Sequence, residues 1–208
     1  MKKIFILSSA LVMALAVTSC SSKTETATTE KAVEKKVEME ALSFNLNTEA
    51  STLEWKGTMV GIYSHTGTLN ITEGSVMTEN GNIIGGKVVI DMSSMQATDE
   101  NYDPSKDQTK ENLIGHLQSP DFFDVANNPT ASFVIKSVNG NILTGDFTLR
   151  GVTKEESITL ADVKVSEKGF EATSSFKINR QDYGVIYKSS MADMVLSDDL
   201  EITIAIKS

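Results

Sequence analysis

The sequence predicts an all-β domain, an antiparallel sandwich or barrel interrupted by one short helix. Apolar residues recur with a period of two in several short runs, Asn-Gly pairs sit where such runs would turn back, and helical periodicity is almost absent. Leu53 and Trp55, continuing to Met59, alternate with Glu54, Lys56 and Thr58, which makes a strand with one wet and one buried face. The rhythm returns in Leu69 and Ile71 and again in Val88, Ile90 and Met92, with Asn80-Gly81 as a hairpin turn between them. A helix fits residues 104–117: Asp103 caps it, Pro104 takes its first position, and Leu113, Ile114 and Leu117 share an apolar face that covers a barrel mouth.

Residues 115–160 are the most constrained stretch. Ser119 as N-cap and Pro120 at the first helical position start a helical turn that throws Phe122 and Phe123 toward the interior as an aromatic plug. Past Pro129, residues 131–138 alternate with Phe133 and Ile135 on one face, and Asn139-Gly140 supplies the positive backbone angles of a two-residue hairpin. On the return strand Phe147 and Leu149 share one face while Asp146, Thr148 and Arg150 share the other, so Arg150 points to solvent or a neighbouring strand. Gly151 then permits a bend before a strand over residues 157–163. Two more rows close the chain, Phe170, Ala172, Phe176 and Ile178, then Leu200, Ile202, Ile204 and Ile206.

These residues resemble the signature of the YceI-like family. The resemblance rests on Leu113-x-x-His116-Leu117-x-Ser119-x-Asp121-Phe122-Phe123, Pro129-x-x-x-Phe133 and Gly145-x-Phe147-Thr148-Leu149-Arg150-Gly151-Val152-Thr153-Lys154. Trp55-x-Gly57, His65-x-Gly67, Asp91-Met92, Arg180-x-x-Tyr183-Gly184 and Asp199-x-x-Ile202-x-Ile204-x-Ile206 extend it over about residues 44–208. Where many members place a proline after the Gly-Val-Thr-Lys run this chain has Glu155-Glu156, which leaves the start of that strand open. The resemblance implies a lipocalin-like antiparallel barrel around an elongated cavity that takes an isoprenoid lipid. It turns the apolar rows into cavity walls, with Leu53, Trp55, Val88, Ile90, Leu117, Phe122, Phe123, Phe133, Ile135, Phe147, Leu149, Phe170, Phe176, Ile178, Ile202 and Ile204 as the ligand-facing set. Each methylene buried there contributes about 0.8 kcal/mol, so a few isoprene units suffice for micromolar affinity without any catalytic group. Periodicity alone is equally met by a solid β-core, the basis of a surface interaction module.

Polar candidates are few. Arg180 continues the inward row of Phe176 and Ile178 and is the candidate polar contact to a quinone carbonyl or lipid phosphate; an ion pair with Asp182, Asp198 or Asp199 is its alternative. Tyr183 and Tyr187 offer hydroxyls near the rim. His65 and His116 are the only histidines, expected to satisfy backbone groups. With Asp91, Asp99 or Asp121 and the acidic loop 99–107 they also define an alternative, a metal-dependent enzyme or metal-binding module. A closely spaced helical His pair, a G-x-S-x-G elbow, a phosphate loop and a dinucleotide fingerprint are all missing from the sequence, so the expectation is a non-enzyme with no cofactor besides its lipid.

The N-terminal end points to export. Met1-Lys2-Lys3 precedes the apolar residues 4–17, and Leu15-Ala16-Val17-Thr18-Ser19-Cys20 places small residues before a cysteine, as lipoprotein processing requires. Expected are a signal peptide over residues 1–19, acylation of Cys20, a tether over residues 20–42 rich in Ser, Thr, Lys, Glu and Ala, and the barrel over residues 43–208. Cys20 is the single cysteine, so no disulfide forms within the chain. Of 19 basic and 28 acidic residues, loss of Lys2 and Lys3 leaves 17 against 28, a net charge near −11. That charge disfavours nucleic acid and close docking on anionic head groups, leaving Cys20 as the membrane contact. Ser21-Ser22 lacks an inner-membrane retention aspartate, so the outer membrane of a bacterial cell envelope is favoured. A mouth with exposed Leu and Phe can bury itself in a homodimer.

Overall fold

The structure, a computed structural model, describes residues 41–188 and 195–208. The signal segment, Cys20 and nearly all of the tether fall outside the described residues. Ten strands follow in order: β1 (Leu42–Asn45), β2 (Thr52–Met59), β3 (Tyr63–Glu79), β4 (Asn82–Ala97), β5 (Thr130–Asn139), β6 (Ile142–Leu149), β7 (Val152–Thr159), β8 (Ala161–Ser166), β9 (Gly169–Asn179) and β10 (Leu196–Lys207). One helix, α1 (Lys110–Gln118), lies between β4 and β5. β1 starts at Leu42, one residue before the expected domain start.

All pairings are antiparallel, and the strands run β7-β6-β5-β4-β3-β2-β10-β9-β8. β3 is long enough to serve two neighbours: its first half pairs with β2 (Trp55 opposite Gly67) and its second half with β1 (Phe44 opposite Val76). The two ends of this series, β7 and β8, are separated by Leu160 alone, so one bent stretch of chain bridges from β6 to β9. At that corner Ser174 of β9 donates its hydroxyl to the Thr159 carbonyl (2.8 Å), and the strongly curled sheet forms the lipocalin-like barrel that the sequence predicts. No ladder joins β7 to β9 among the described residues. Instead the 3₁₀ turn Arg180–Tyr183 lies against β7 and β10, and fully buried Tyr183 donates its hydroxyl to Glu156 of β7 (2.7 Å).

The turns follow from backbone angles. Asn80-Gly81 (φ 51° and 77°) and Arg150-Gly151 (φ 50° and 72°) both have two left-handed residues, the geometry whose twist matches a two-stranded ribbon. The β5–β6 turn differs by one position from the expected one: Asn139 pairs with Ile142, and the two loop residues are Gly140 (φ 59°) and Asn141. Asn139 can therefore stay extended, since Gly140 alone supplies the positive angle. β7 begins directly after Gly151, and the strand expected over residues 157–163 is divided at Leu160, where pairing passes from β6 to β9.

The expected single helix is two elements. Asp103 caps only a 3₁₀ turn, Pro104–Lys106, accepting from the Ser105 N–H, and Asp107 ends it in the left-handed region (φ 58°). Thr109 then caps α1, accepting from the Asn112 N–H (3.2 Å). Ser119 is the C-cap of α1 rather than the N-cap of a new helix, and its hydroxyl is buried without a partner among the described residues. The plug is an irregular turn held by the Ser119 carbonyl, which accepts from the N–H groups of Phe122 (3.0 Å) and Asp124 (2.9 Å). Phe122 and Phe123 are buried all the same.

Candidate functional site

Inside the barrel lies a cavity of about 240 Å³, roofed by α1 and the turn after it. Leu53, Trp55, Ile90, Leu117, Phe122, Phe123, Phe147, Leu149 and Ile202 line it. A second cavity of about 70 Å³ is bounded by Val88, Phe133, Ile135, Phe170, Phe176 and Ile204. Leu53, Ile90, Phe147 and Ile202 border both, so the two hollows share a waist. Ile178 is the exception among the expected wall residues: it is buried but reaches neither cavity. The chain leaves β9 just beyond it, and the following turn brings Tyr183 and Val185 into the interior.

Several wall residues were not in the expected set, notably Met95, Ala131, Leu196 and Leu200. Met95 shows why. Thr68 pairs with Gln96 and Asn70 with Asp91, so four β4 residues bulge opposite one β3 residue. Inside the bulge Asp91 accepts from the Ser93 N–H (2.8 Å) and hydroxyl, and the Ser93 bonds hold the Asp91 carboxyl below its ordinary range. Met92 and Met95, three apart, both turn inward as a result, which a period-two rule cannot anticipate.

The polar expectations need correction. Arg180 is buried, 5 % exposed, and each of its nitrogens is engaged: Nε with the Ser197 carbonyl (2.9 Å), one terminal nitrogen with the Val185 carbonyl, the other with Asp198 (2.9 Å). It lines neither cavity, so the ion-pair alternative holds, with Asp198 as partner. Tyr183 is likewise turned to Glu156, packed edge-on against Phe147 at 5.5 Å; burial first, and the Glu156 carboxylate second, push its hydroxyl pKa well above the usual phenol range. Arg150 is half-buried and donates to the Pro120 carbonyl (2.9 Å), tying the β6–β7 turn to the plug.

Both histidines reach the larger cavity, and neither satisfies backbone groups through its ring as expected. His65 Nδ1 meets the Asp99 carboxylate at 3.0 Å, with Tyr102 stacked on the ring at 5.1 Å and Tyr63 edge-on at 5.0 Å. Burial works to raise the Asp99 carboxyl, but N–H donors of Thr66 and Asn101 together with His65 outweigh it and hold it below the ordinary value. His116 of α1 sits edge-on to Tyr187 (4.6 Å) and Phe122 (5.6 Å), with Nε2 buried and without a partner among the described residues. Tyr187 and Tyr63 line the cavity, and Tyr183 does not. Among the described residues no group of three or more His, Cys, Asp or Glu is placed to hold a metal ion.

The rim is apolar, though not through exposed Leu and Phe. Val60 and Ile62 at the β2–β3 tip and Val195 beside them, hydrogen-bonded through Val60 N–H to the Val195 carbonyl (2.8 Å), are each more than half exposed. On the outer side of His65 an open hollow of about 510 Å³ is bordered by Glu100, Asp103 and Asp107.

A polyisoprenoid binding domain from Saccharophagus degradans, implicated in plant cell wall breakdown, superposes with a TM-score of 0.54 at 13% identity, over 78% of this chain and 95% of its own. BcnA of Burkholderia cenocepacia superposes with a TM-score of 0.63 at 15% identity, over 78% of this chain and 99% of its own. At such identities the likeness shows a shared fold. A UPF0312 protein of Staphylococcus epidermidis is 34% identical over 107 residues, and one of Staphylococcus aureus is 29% identical over the same length. These alignments take in 49% of this chain and 63% of the relatives, so the chain spans less than two thirds of their length. The profile of the YceI-like domain matches residues 44–208, most of the chain, and the protein therefore belongs to the YceI-like family.

Proposed function

We propose that this chain is a lipid-anchored, extracytoplasmic binding protein that holds an isoprenoid lipid, a quinone or a polyprenyl chain, in its barrel for transport, storage or sequestration. The observation that carries the proposal is the pair of adjoining cavities, whose walls among the described residues are almost wholly aliphatic and aromatic. Such walls recognise hydrocarbon by shape and dispersion and give water no partners. The apolar rim at Val60, Ile62 and Val195 supports transfer of a lipid from a membrane without passage through water. Attachment through acylated Cys20, with the outer membrane as its site, would hold the barrel near its source of ligand.

Native mass spectrometry of the purified chain, followed by organic extraction, tests the proposal. A stoichiometric isoprenoid species is the expected result. Ala131→Phe, which sets a ring in the larger cavity from a residue that is 2 % exposed, should purify bare with an unchanged far-ultraviolet circular dichroism spectrum. A wild-type mass that stays bare after incubation with quinones and polyprenols would instead favour a surface interaction module. For the anchor, Cys20→Ser should abolish incorporation of a labelled fatty acid and release the protein from the membrane fraction.

A further inference from the structure

Every tight hairpin loop among the described residues carries a polar or charged side chain, with one exception. Asn80-Gly81, Gly140-Asn141, Arg150-Gly151 and Glu167-Lys168 join β3 to β4, β5 to β6, β6 to β7 and β8 to β9. The β2–β3 loop is instead Val60-Gly61-Ile62, closed by Met59 opposite Tyr63. Its positive backbone angle falls on Gly61 (φ 76°), so the turn makes no demand for an aliphatic residue on either side. Val60 and Ile62 are nonetheless more than half exposed, as are Val195 beside them and Ile186 further along the chain. Each of these four adjoins in sequence a residue that lines the larger cavity, respectively Met59, Tyr63, Leu196 and Tyr187. Apolar surface thus continues from the cavity wall to the outside of the barrel.

The loop is fitted to leave water. The Val195 carbonyl accepts from the Val60 N–H (2.8 Å) and the Met59 carbonyl from the Ile62 N–H (3.1 Å), so neither donor is stranded in an apolar medium. No charged side chain falls between Gly57 and Ser64, and Lys56 before them pairs with Glu201 (3.4 Å). Tyr63 at the base of the loop is half-buried, an amphipathic ring of the kind that settles at head-group level.

Size and charge identify what covers this tip. Four exposed aliphatic residues are far fewer than the roughly 20–30 per side of a stable protein interface. An interfacial anchor needs only to enter the outer layer of a bilayer, about 5–10 Å at the boundary of head groups and acyl chains. The hollow beside Tyr63 is bordered by Glu100, Asp103 and Asp107, of which Lys110 and Lys106 pair with the first two, and the chain carries a net charge of −9. Lys188, next to Tyr187, is a lone basic residue there and not the basic cluster that anionic head groups attract. The matching surface is therefore zwitterionic.

Resting on the lipid-binding reading above for its purpose, we propose that the β2–β3 loop is a membrane-insertion element: Val60 and Ile62, with Val195 beside them, enter a zwitterionic lipid surface and set the cavity mouth against it.

The test uses the full chain with Cys20→Ser, which removes the single cysteine and with it any acylation. Ile62→Cys in that background carries an environment-sensitive fluorophore. Asn141→Cys carries the same label in the β5–β6 loop, at the end of the barrel where β3 finishes. Phosphatidylcholine vesicles free of isoprenoid should shift the Ile62 label to the blue, and brominated acyl chains should quench it. The Asn141 label should do neither, even if the N-terminal residues bring the whole chain to the vesicle. Phosphatidylglycerol in the vesicles should not strengthen the effect. Val60→Asp with Ile62→Asp should slow uptake of a prenylated benzoquinone from phosphatidylcholine vesicles at least about tenfold, and leave its affinity unchanged when cyclodextrin delivers it. An Ile62 label that ignores vesicles, or one that responds only with phosphatidylglycerol, would overturn the insertion while quinone binding from cyclodextrin kept the lipid cavity in place. A shift that grows with protein concentration in the absence of vesicles would overturn it in favour of a second copy of the chain. Failure to take up quinone from either carrier, with the Ile62 shift present, would overturn the lipid-binding reading and uphold the insertion.

Discussion

Replacing Gly67 by alanine tests whether the cavity wall is built as described, because one methyl group there meets two neighbours at once. The added Cβ would lie 1.9 Å from the Gln96 carbonyl oxygen and 2.3 Å from Trp55 Cζ2, whereas real Cβ atoms stay beyond 3.0 Å of such atoms. Relief demands a movement of about an ångström between β3 and β4 and displacement of the indole from its bed. Overpacking of this kind costs about 1–3 kcal/mol. With urea slopes of about 1–3 kcal/mol per molar, the unfolding midpoint should fall by roughly 1 M. The assay is urea unfolding followed by fluorescence of Trp55, the only tryptophan in the chain. Its native-state emission should change as well, since the ring moves. A Gly67→Ala protein within about 0.5 kcal/mol of wild type and with the same emission spectrum would refute the packing of Trp55 against Gly67.

Three further predictions follow the same logic. Phe147→Ala, at the waist shared by the two cavities and packed on Tyr183, should lose about 3–5 kcal/mol of stability in denaturant titration; a loss below about 1 kcal/mol would mean the waist is not packed as described. Tyr183→Phe should cost about 1.5–3 kcal/mol by removing the hydrogen bond to Glu156 across the seam, and the same substitution in a Glu156→Gln background should cost measurably less. Equal costs in both backgrounds would show that the hydroxyl does not read the carboxylate. The Asp99 carboxyl is held below its ordinary value of 3.8, so its contribution to stability is fully present above that value and is lost as pH falls below it. Unfolding midpoints measured between about pH 5 and pH 2 should therefore converge for wild type and Asp99→Asn at the acid end, and a constant gap would contradict the assignment.

Much of the barrel is written in one-dimensional patterns. A strand alternates its faces whatever surrounds it, so Leu53, Trp55, Phe133, Phe147, Ile202 and Ile204 could be assigned to the interior from their spacing. Asn80-Gly81 and Arg150-Gly151 likewise announce their turns, because few residues adopt a left-handed backbone at low cost. Family likeness in the ordered motifs supplied what periodicity alone could not, the choice of a hollow barrel over a solid core.

Other features depend on which neighbour a group finds. Arg180 continues an inward apolar row and so could be read as a cavity contact or as an ion pair; its three nitrogens are spent on Ser197, Val185 and Asp198, residues brought to it by the turn after β9 and the start of β10. Met95 faces the cavity because a bulge opposite β3 shifts the alternation of β4. Trp55 and His116 belong to a strand and a helix far apart in the chain, and only the curled sheet with α1 across it brings both side chains to one cavity. The alternation of a strand and the backbone freedom of glycine are local and survive in the sequence. Hydrogen-bond partnership and cavity shape arise from long-range contacts, so tertiary structure alone decided them.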